Sequence, residues 1–403
     1  MKVNVYPSVP RGTVDAPPSK SMAHRLLIGA ALSDEPCEVC GVSDSEDIKA
    51  TLSCLENLSR DFTVTGAKVE FGNGKRKNSA ENPPVFDCRE SGSTLRFFIP
   101  ISLVLSGGGV FTGAKRLIER GVEVYQETLA SDGVLIRSEE DRVVVEGRLK
   151  GGKYTVRGGV SSQYISGLLF ALPLLEVDSE IVITEPFESR LYVDMTIGAL
   201  NEYGVIVKKL SDNRLFVPGN QHYRGGRHVV EGDWSNGAFL LALKTLSDAV
   251  VVRGLSDDSL QGDKACRRIF EKIKTESPII DLADCPDLAP ISFVMASLHG
   301  GARFVNTRRL RIKESDRAAV MAEELKKLGV ETEVYDNEVV VHGGVIRNSR
   351  LPLNGHNDHR VVMALCVLLT VVGGSIEGAE AVAKSYPDFF VALKALGVRY
   401  DFE

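Results

Sequence analysis

Residues 19–32 read SKSMAHRLLIGAAL, and five later stretches repeat that pattern. They are ESGSTLRFFIPISLVL from Glu90, SSQYISGLLFALPLL from Ser161, GDWSNGAFLLALKTL from Gly232, CPDLAPISFVMASL from Cys285 and NDHRVVMALCVLLT from Asn357. Near the start of each stands Ser, Asp or Asn, whose short polar side chains cap helix N-termini. About a dozen mostly apolar residues come next, so the six helices are expected to be buried nearly all round. Their starts recur about every 70 residues, with one shorter interval before Cys285. Self-similarity at a fixed period marks a repeated architecture.

The segments between the apolar helices repeat as well. Each begins with a short β-rich piece, such as CEVCGV, GGVFTG or SEIVITE, and continues as an amphipathic helix, such as SEDIKATLSCLENL or SDRAAVMAEELKKLG. In five of the six units, alternating strands such as VLIRSEEDRVVVEG and TEVYDNEVVVHG come after that helix. The unit is helix–strand–helix–strand–strand, an α/β arrangement with a longer period than a solenoid's. Six units in 403 residues suggest two domains of three units each. A strand at 2–6 precedes the first unit, and the Gly- and charge-rich YRGGRHV at 223–229 precedes the fourth. The expected division is one domain over 14–227 and another over 1–13 with 228–403.

Composition narrows the function. Hydrophobic residues are 43% and charged residues 25%, an ordinary globular balance. The net charge of −6 argues against wholesale binding to nucleic acid or an acidic membrane. The longest apolar run, 361–372, is too short for a span, which needs about 20 residues. MKVNVYPSVPRG lacks the apolar core of a secretory signal, so a cytoplasmic protein is expected. Seven scattered cysteines fit free thiols in a reducing compartment, and Cys37 and Cys40 are expected to pack rather than bind metal. GNGKRK at 72–77 lacks the ending of a phosphate loop and is expected to be a hairpin tip.

Helix N-termini carry unsatisfied N–H groups and partial positive charge, and so attract anions. Here they are decorated with Lys20, Ser21 and Arg25, with Ser93 and Arg96, with Ser161, Ser162 and Gln163, and with His359 and Arg360. Acidic residues enter at Glu90, Asp233, Asp287 and Asp358. RIKESDR at 311–317 opens a helix expected near Ser315, with Glu314 and Arg317 three residues apart on one side. A lysine, a glutamate and an arginine so close together suit acid–base chemistry on an anionic substrate. Taken alone, KESDR reads as a solvated face, Arg25 and Arg96 as structural ion-pair residues, and Ser161 and Ser162 as a cap.

These strings together resemble the enolpyruvyl transferase family, in the branch that acts on shikimate 3-phosphate. They are PSKSMAHR at 18–25, SGSTLR at 91–96, SSQ at 161–163, ESRLYVD at 188–194, CPDLA at 285–289, RIKESDR at 311–317, NDHR at 357–360 and AKSYPDFF at 383–390. All eight stand in family order along nearly the whole chain. The resemblance implies two domains, each of three βαβαββ units, closing on a cleft that holds the active site. It implies enolpyruvyl transfer from phosphoenolpyruvate to shikimate 3-phosphate on the route to chorismate and the aromatic amino acids, with no metal or organic cofactor. The only partners implied are these small-molecule substrates, and a monomer is expected.

Matched positions imply roles. Ser21 and Arg25 would hold the shikimate carboxylate. Ser161, Ser162, Ser189 and Tyr192 would hold its 3-phosphate, and Gln163 would lie against its ring. Asp287 and Lys313 would hold its hydroxyls, with Asp287 a candidate base. Lys20, Gly92, Arg120, Gln163, Arg317, Arg360 and Lys384 would bind phosphoenolpyruvate. Lys20 counts among the groups at both substrates and could assist at the phosphate, while Glu314 is the candidate for proton transfer at C3. On this reading the domain 14–227 binds shikimate 3-phosphate, and the other contributes phosphoenolpyruvate-binding and catalytic residues.

Four positions depart from the commoner family pattern: Glu90 and Ser93 in ESGST, Gly121 after Arg120, and Arg309. An ionised Glu90 beside an anion site needs relief, either by pairing with Arg89, Lys115 or Arg120 or by capping its own helix, and pairing is preferred. The closest rival is a UDP-N-acetylglucosamine 1-carboxyvinyltransferase, a relative that usually relies on a loop cysteine. No cysteine stands in GAKRLIERG at 113–121. A non-catalytic anion-binding module would be favoured only if Lys20, Asp287 or Glu314 were missing.

Overall fold

The computed structural model describes residues 1–58, 61–73, 83–349 and 351–403. The chain divides into two compact units, one of residues 20–230 and the other of 1–19 with 231–403. Each has a hydrophobic core of its own.

In the unit 20–230 the apolar stretches form the helices Lys20–Leu32, Gly92–Leu105 and Ser162–Ala171, with nearly every residue buried. Lacking a polar face, they can sit only inside. Each leads into a strand: Cys37–Cys40, Gly108–Thr112 and Ser179–Thr184. Each of these strands has one parallel neighbour, respectively Gly226–Val229, Val85–Asp87 and Gly152–Arg157. On its other side each pairs with an antiparallel hairpin, giving three four-stranded sheets of one topology. Period-2 alternation fixes the inward faces, as with Tyr154 and Val156 beside Ile181 and Ile183. Gly167 lets the third helix close on the second. A Cβ there would lie 2.4 Å from the Arg96 carbonyl oxygen and 2.3 Å from Tyr125 Oη.

In the other unit the buried helices are Trp234–Leu246, Ala289–Leu298 and His359–Val372. Two sheets repeat the four-stranded topology. One joins Ile279–Asp281 and Gly301–Val305 to the pair Thr332–Val334 and Glu338–His342. The second joins Leu353–Asn354 and Gly374–Glu377 to Lys2–Val5 and Tyr400–Phe402, so both chain ends lie in one sheet. Among the described residues the third sheet has only Gly12–Asp15 and Val250–Arg253. Its missing hairpin accounts for the shorter interval before Cys285.

Several expectations are corrected in detail. Residues 14–19 belong with the unit 231–403, because Gly12–Asp15 pairs with Val250–Arg253. Residues 228–230 belong with 20–230, because Gly226–Val229 is a strand beside Cys37–Cys40 rather than a linker. Side-chain caps are observed at Ser91, Ser161, Asp233 and Asp358. The fifth buried helix instead comes after a 3₁₀ turn, Pro286–Leu288, and has no side-chain cap. The helix expected near Ser315 spans Arg317–Lys327 and is capped by Asp316. Of the hairpin tip expected at 72–77, residues 74–77 lie outside the described residues. All seven cysteines are free thiols, and all but the half-buried Cys40 are buried. Among the described residues no helix is long and apolar enough to cross a membrane.

Candidate active site

In the unit 20–230 the candidate residues gather at the N-terminal ends of its buried helices. Lys20 begins the first helix, and its Nζ stands 2.6 Å from Asp47 Oδ2, with both side chains largely buried. One turn on, the Arg25 guanidinium is locked from three directions. It donates to the Ser21 carbonyl at 2.7 Å, to the Tyr192 carbonyl at 3.0 Å and to Thr196 Oγ1 at 2.9 Å, and it lies over the Phe97 ring. Burial pushes the Arg25 guanidinium down to about 10, which leaves it charged at neutral pH. Ser189 stands just before the helix Arg190–Glu202 in the left-handed region, with φ 55°, and its carbonyl accepts from the Tyr192 amide at 3.1 Å.

A second group surrounds Gly92. Arg96 Nη1 donates to Gln163 Oε1 at 3.0 Å, and Nη2 to the Gly121 carbonyl at 3.3 Å. Gln163 Nε2 donates to Ser93 Oγ at 3.0 Å, which joins the second and third helix starts. Arg120 closes the short helix Lys115–Glu119 and brings its guanidinium over Gly92. Ser161 caps the third helix through the Gln163 amide, and Ser162 is buried at the same end. Two guanidinium groups and a helix N-terminus thus meet at a residue without a side chain, a geometry made for an anion.

In the unit of 1–19 and 231–403, one carboxylate holds three cations. Asp287 Oδ1 lies 3.1 Å from Lys313 Nζ and 2.8 Å from Arg317 Nη1, and Oδ2 lies 3.2 Å from Arg360 Nη2. Burial alone would raise the Asp287 carboxyl, but Arg360, Lys313 and Arg317 overcome it and hold it well below the usual range. Burial also lowers the Lys313 ammonium, partly offset by Asp287. Arg317 is 1% exposed and also bonds Glu314 Oε2 at 2.6 Å and Asp358 Oδ2 at 2.9 Å. Asp358 in turn caps the sixth buried helix through the Arg360 amide. Lys384 Nζ donates to the Asn357 carbonyl at 2.6 Å. Arg309 is buried and donates to the Ala283 carbonyl at 3.0 Å.

The family model for EPSP synthase (3-phosphoshikimate 1-carboxyvinyltransferase) matches residues 7–393. This chain belongs to the EPSP synthase family. It is 37% identical to the 3-phosphoshikimate 1-carboxyvinyltransferase of Clostridium botulinum, over 98% of this chain and 96% of that one. It is 38% identical to that of Clostridium kluyveri, over 99% and 98%. Its fold is that of the EPSP synthase structure from Acinetobacter baumannii, with TM-score 0.80, 22% identity and 99% of each chain covered.

Within this EPSP synthase family chain, the structure adds partners that the sequence does not single out. Asp47 pairs with Lys20, and Thr196 bonds both Arg25 and Ser166 Oγ, the latter at 2.7 Å. Both lie on amphipathic helices, where a lone polar residue reads as solvent-facing. His24 has no metal spacing in the sequence to mark it, yet its Nδ1 meets Thr51 Oγ1 at 2.7 Å, and Thr51 meets Thr94 at 2.8 Å. Of the relief offered to Glu90, capping belongs instead to Ser91, which accepts from the Thr94 amide. Arg89, one of the three cations considered for it, pairs with Glu46 at 2.6 Å.

Proposed function

We propose that this chain transfers the enolpyruvyl group of phosphoenolpyruvate to the 5-hydroxyl of shikimate 3-phosphate. The products are 5-enolpyruvylshikimate 3-phosphate and inorganic phosphate. The observation that carries this reading is similarity over nearly the whole chain to relatives named for that activity.

The reaction adds the 5-hydroxyl oxygen to C2 of the enol while C3 gains a proton. The tetrahedral adduct then loses a proton from the C3 methyl group and phosphate from C2. Such chemistry needs an acid–base group at C3, an acceptor for the hydroxyl proton and fixed cations for the phosphate and carboxylates. In this reading Glu314 moves the proton at C3. Arg317 fixes its carboxylate while itself held by Asp358 and Asp287, so the acid–base group does not wander. Asp287 accepts the hydroxyl proton. Three cations keep it ionised but make it a weak base. An anionic substrate that draws on Lys313 and Arg360 removes part of that stabilisation and raises its basicity.

Ser21, Arg25, Ser161, Ser162, Gln163, Ser189, Tyr192, Asp287 and Lys313, with Lys20, bind shikimate 3-phosphate in this proposal. Gly92, Arg120, Arg317, Arg360 and Lys384, again with Lys20 and Gln163, bind phosphoenolpyruvate. Arginine forks match the planar carboxylate and the phosphate. Phosphate release measured with phosphoenolpyruvate and either acceptor tests the reading. Release with shikimate 3-phosphate and none with UDP-N-acetylglucosamine is expected, and the reverse preference would overturn it.

A further inference from the structure

Glu324 is 0% exposed although it lies in the charged stretch EELKK of an amphipathic helix. Its two oxygens are fully engaged. Oε2 accepts from the Asn354 amide at 2.9 Å, Oε1 meets His356 Nε2 at 2.8 Å, and Lys327 Nζ lies 2.8 and 2.9 Å from the pair. The Asn354 side chain then accepts from the His356 amide at 2.7 Å. Glu323, Glu324 and His356 have the closeness of metal ligands. The Lys327 ammonium already bridges both Glu324 oxygens, so the charge a cation would neutralise is met.

This clamp holds a turn of unfavourable backbone. His356 and Asn357 are consecutive residues at φ 49° and 52°, a conformation that costs a non-glycine residue free energy and persists only when its surroundings impose it. Immediately beyond it, the Asn357 carbonyl takes the Lys384 ammonium, and Asp358 takes Arg317. Arg317 and Glu324 lie seven residues apart, two turns along one buried helix face. One helix therefore grips the 354–358 turn at both ends: Arg317 at Asp358, Glu324 at Asn354 and His356.

We propose that Glu324 and His356 are positioning residues for the phosphoenolpyruvate end of the reaction. They set the left-handed turn at 356–357, and that turn aims Lys384 through the Asn357 carbonyl. The proposal rests on the reading of Lys384 as a phosphoenolpyruvate-binding cation. Glutamine at 356 can place an N–H near the position of His356 Nε2, whereas alanine cannot.

The test is steady-state kinetics for both substrates with His356→Ala, His356→Gln, Lys384→Met and the double variant His356→Ala/Lys384→Met, each checked for folding by thermal melting. His356→Ala is expected to raise KM for phosphoenolpyruvate about tenfold, leave KM for shikimate 3-phosphate within about twofold, and be largely rescued by His356→Gln. In the Lys384→Met background, His356→Ala is expected to add less than about twofold, because both act on one contact. An equal rise in both KM values, no rescue by glutamine, or a full effect in the Lys384→Met background would overturn the proposal. Lys384→Met with an unchanged KM for phosphoenolpyruvate would overturn the reading of Lys384, and the positioning role with it. Should His356→Ala melt below the assay temperature, Glu324→Gln carries the same expectation, since it keeps the side chain's shape and removes the charge that organises the turn.

Discussion

A Cβ atom on Gly92 would stand 3.1 Å from both terminal nitrogens of Arg120. It would also stand 2.8 Å from Arg96 Nη1, which is tied to Gln163 and so cannot swing away without breaking that bond. The missing side chain is what allows two guanidinium groups and a helix N-terminus to share one place.

Gly92→Ala is therefore expected to displace the arginines rather than unfold the helix, since alanine suits a helix better than glycine. The expected result is a melting temperature close to that of the parent, with KM for phosphoenolpyruvate raised roughly tenfold. An unchanged KM would contradict the assignment of Gly92 and Arg120 to that substrate.

Glu314 and Asp358 both bond Arg317, yet their loss should read out differently. Glu314→Gln leaves Arg317 two carboxylate partners, so folding should survive while turnover falls by roughly 100-fold or more. Asp358→Ala removes a helix cap and a partner of a buried guanidinium, and is expected to cost about 3–5 kcal/mol of stability. Urea unfolding beside steady-state kinetics separates the two. Near-normal turnover in folded Glu314→Gln would remove it from the chemistry.

Asp287 carries the negative charge that three cations share. Asp287→Asn is expected to lower kcat by roughly 100-fold or more. It should not raise KM for phosphoenolpyruvate, because the change removes a negative charge from among cations assigned to an anion. A raised KM with kcat intact would contradict its role as base and make it a structural counter-ion.

His24 gives a pH dependence of stability. Burial first, then Lys20 and Arg25, hold its imidazole well below the ordinary value of 6.5. Above pH 6.5 it is neutral in both folded and unfolded chains and contributes no slope. Below 6.5 the unfolded chain takes up a proton that the folded one refuses, so stability falls as pH falls, by up to about 1.4 kcal/mol per pH unit. Urea unfolding between pH 7 and 5.5 should show this, and His24→Asn should flatten that part of the slope. The low-lying carboxyls of Asp287 and Asp358 give the same sign of dependence only below the ordinary aspartate value of 3.8, so the windows are distinct. An unchanged slope in His24→Asn would remove His24 as its source.

The repeat was legible because a helix buried on all sides leaves an unbroken apolar run, and six such runs at a near-constant spacing leave little choice of architecture. Lys20, Arg25, Gln163 and Arg360 stood out because they interrupt those runs near their starts. Asp47, Thr196 and Glu324 were illegible for the opposite reason. They sit on amphipathic helices among other polar residues, and only tertiary packing distinguishes a buried carboxylate from a solvated one. The strand Gly226–Val229 read as a linker because its glycine, arginine and histidine are what an edge strand tolerates.

The strand Lys2–Val5 lies between Gly374–Glu377 and Tyr400–Phe402. On the ribosome this means that residues 2–5 are made long before either of their sheet neighbours and are among the last to find a place. Residues 20–230 emerge next, with a core of their own, and can fold while the leading segment waits as an unpaired tether. Its sheet cannot be completed until residues 400–402 have left the exit tunnel. A chain stopped before Tyr400 would leave Lys2–Val5 with one open edge. Sensitivity of residues 2–5 to protease should therefore persist until residues 400–402 are available to pair.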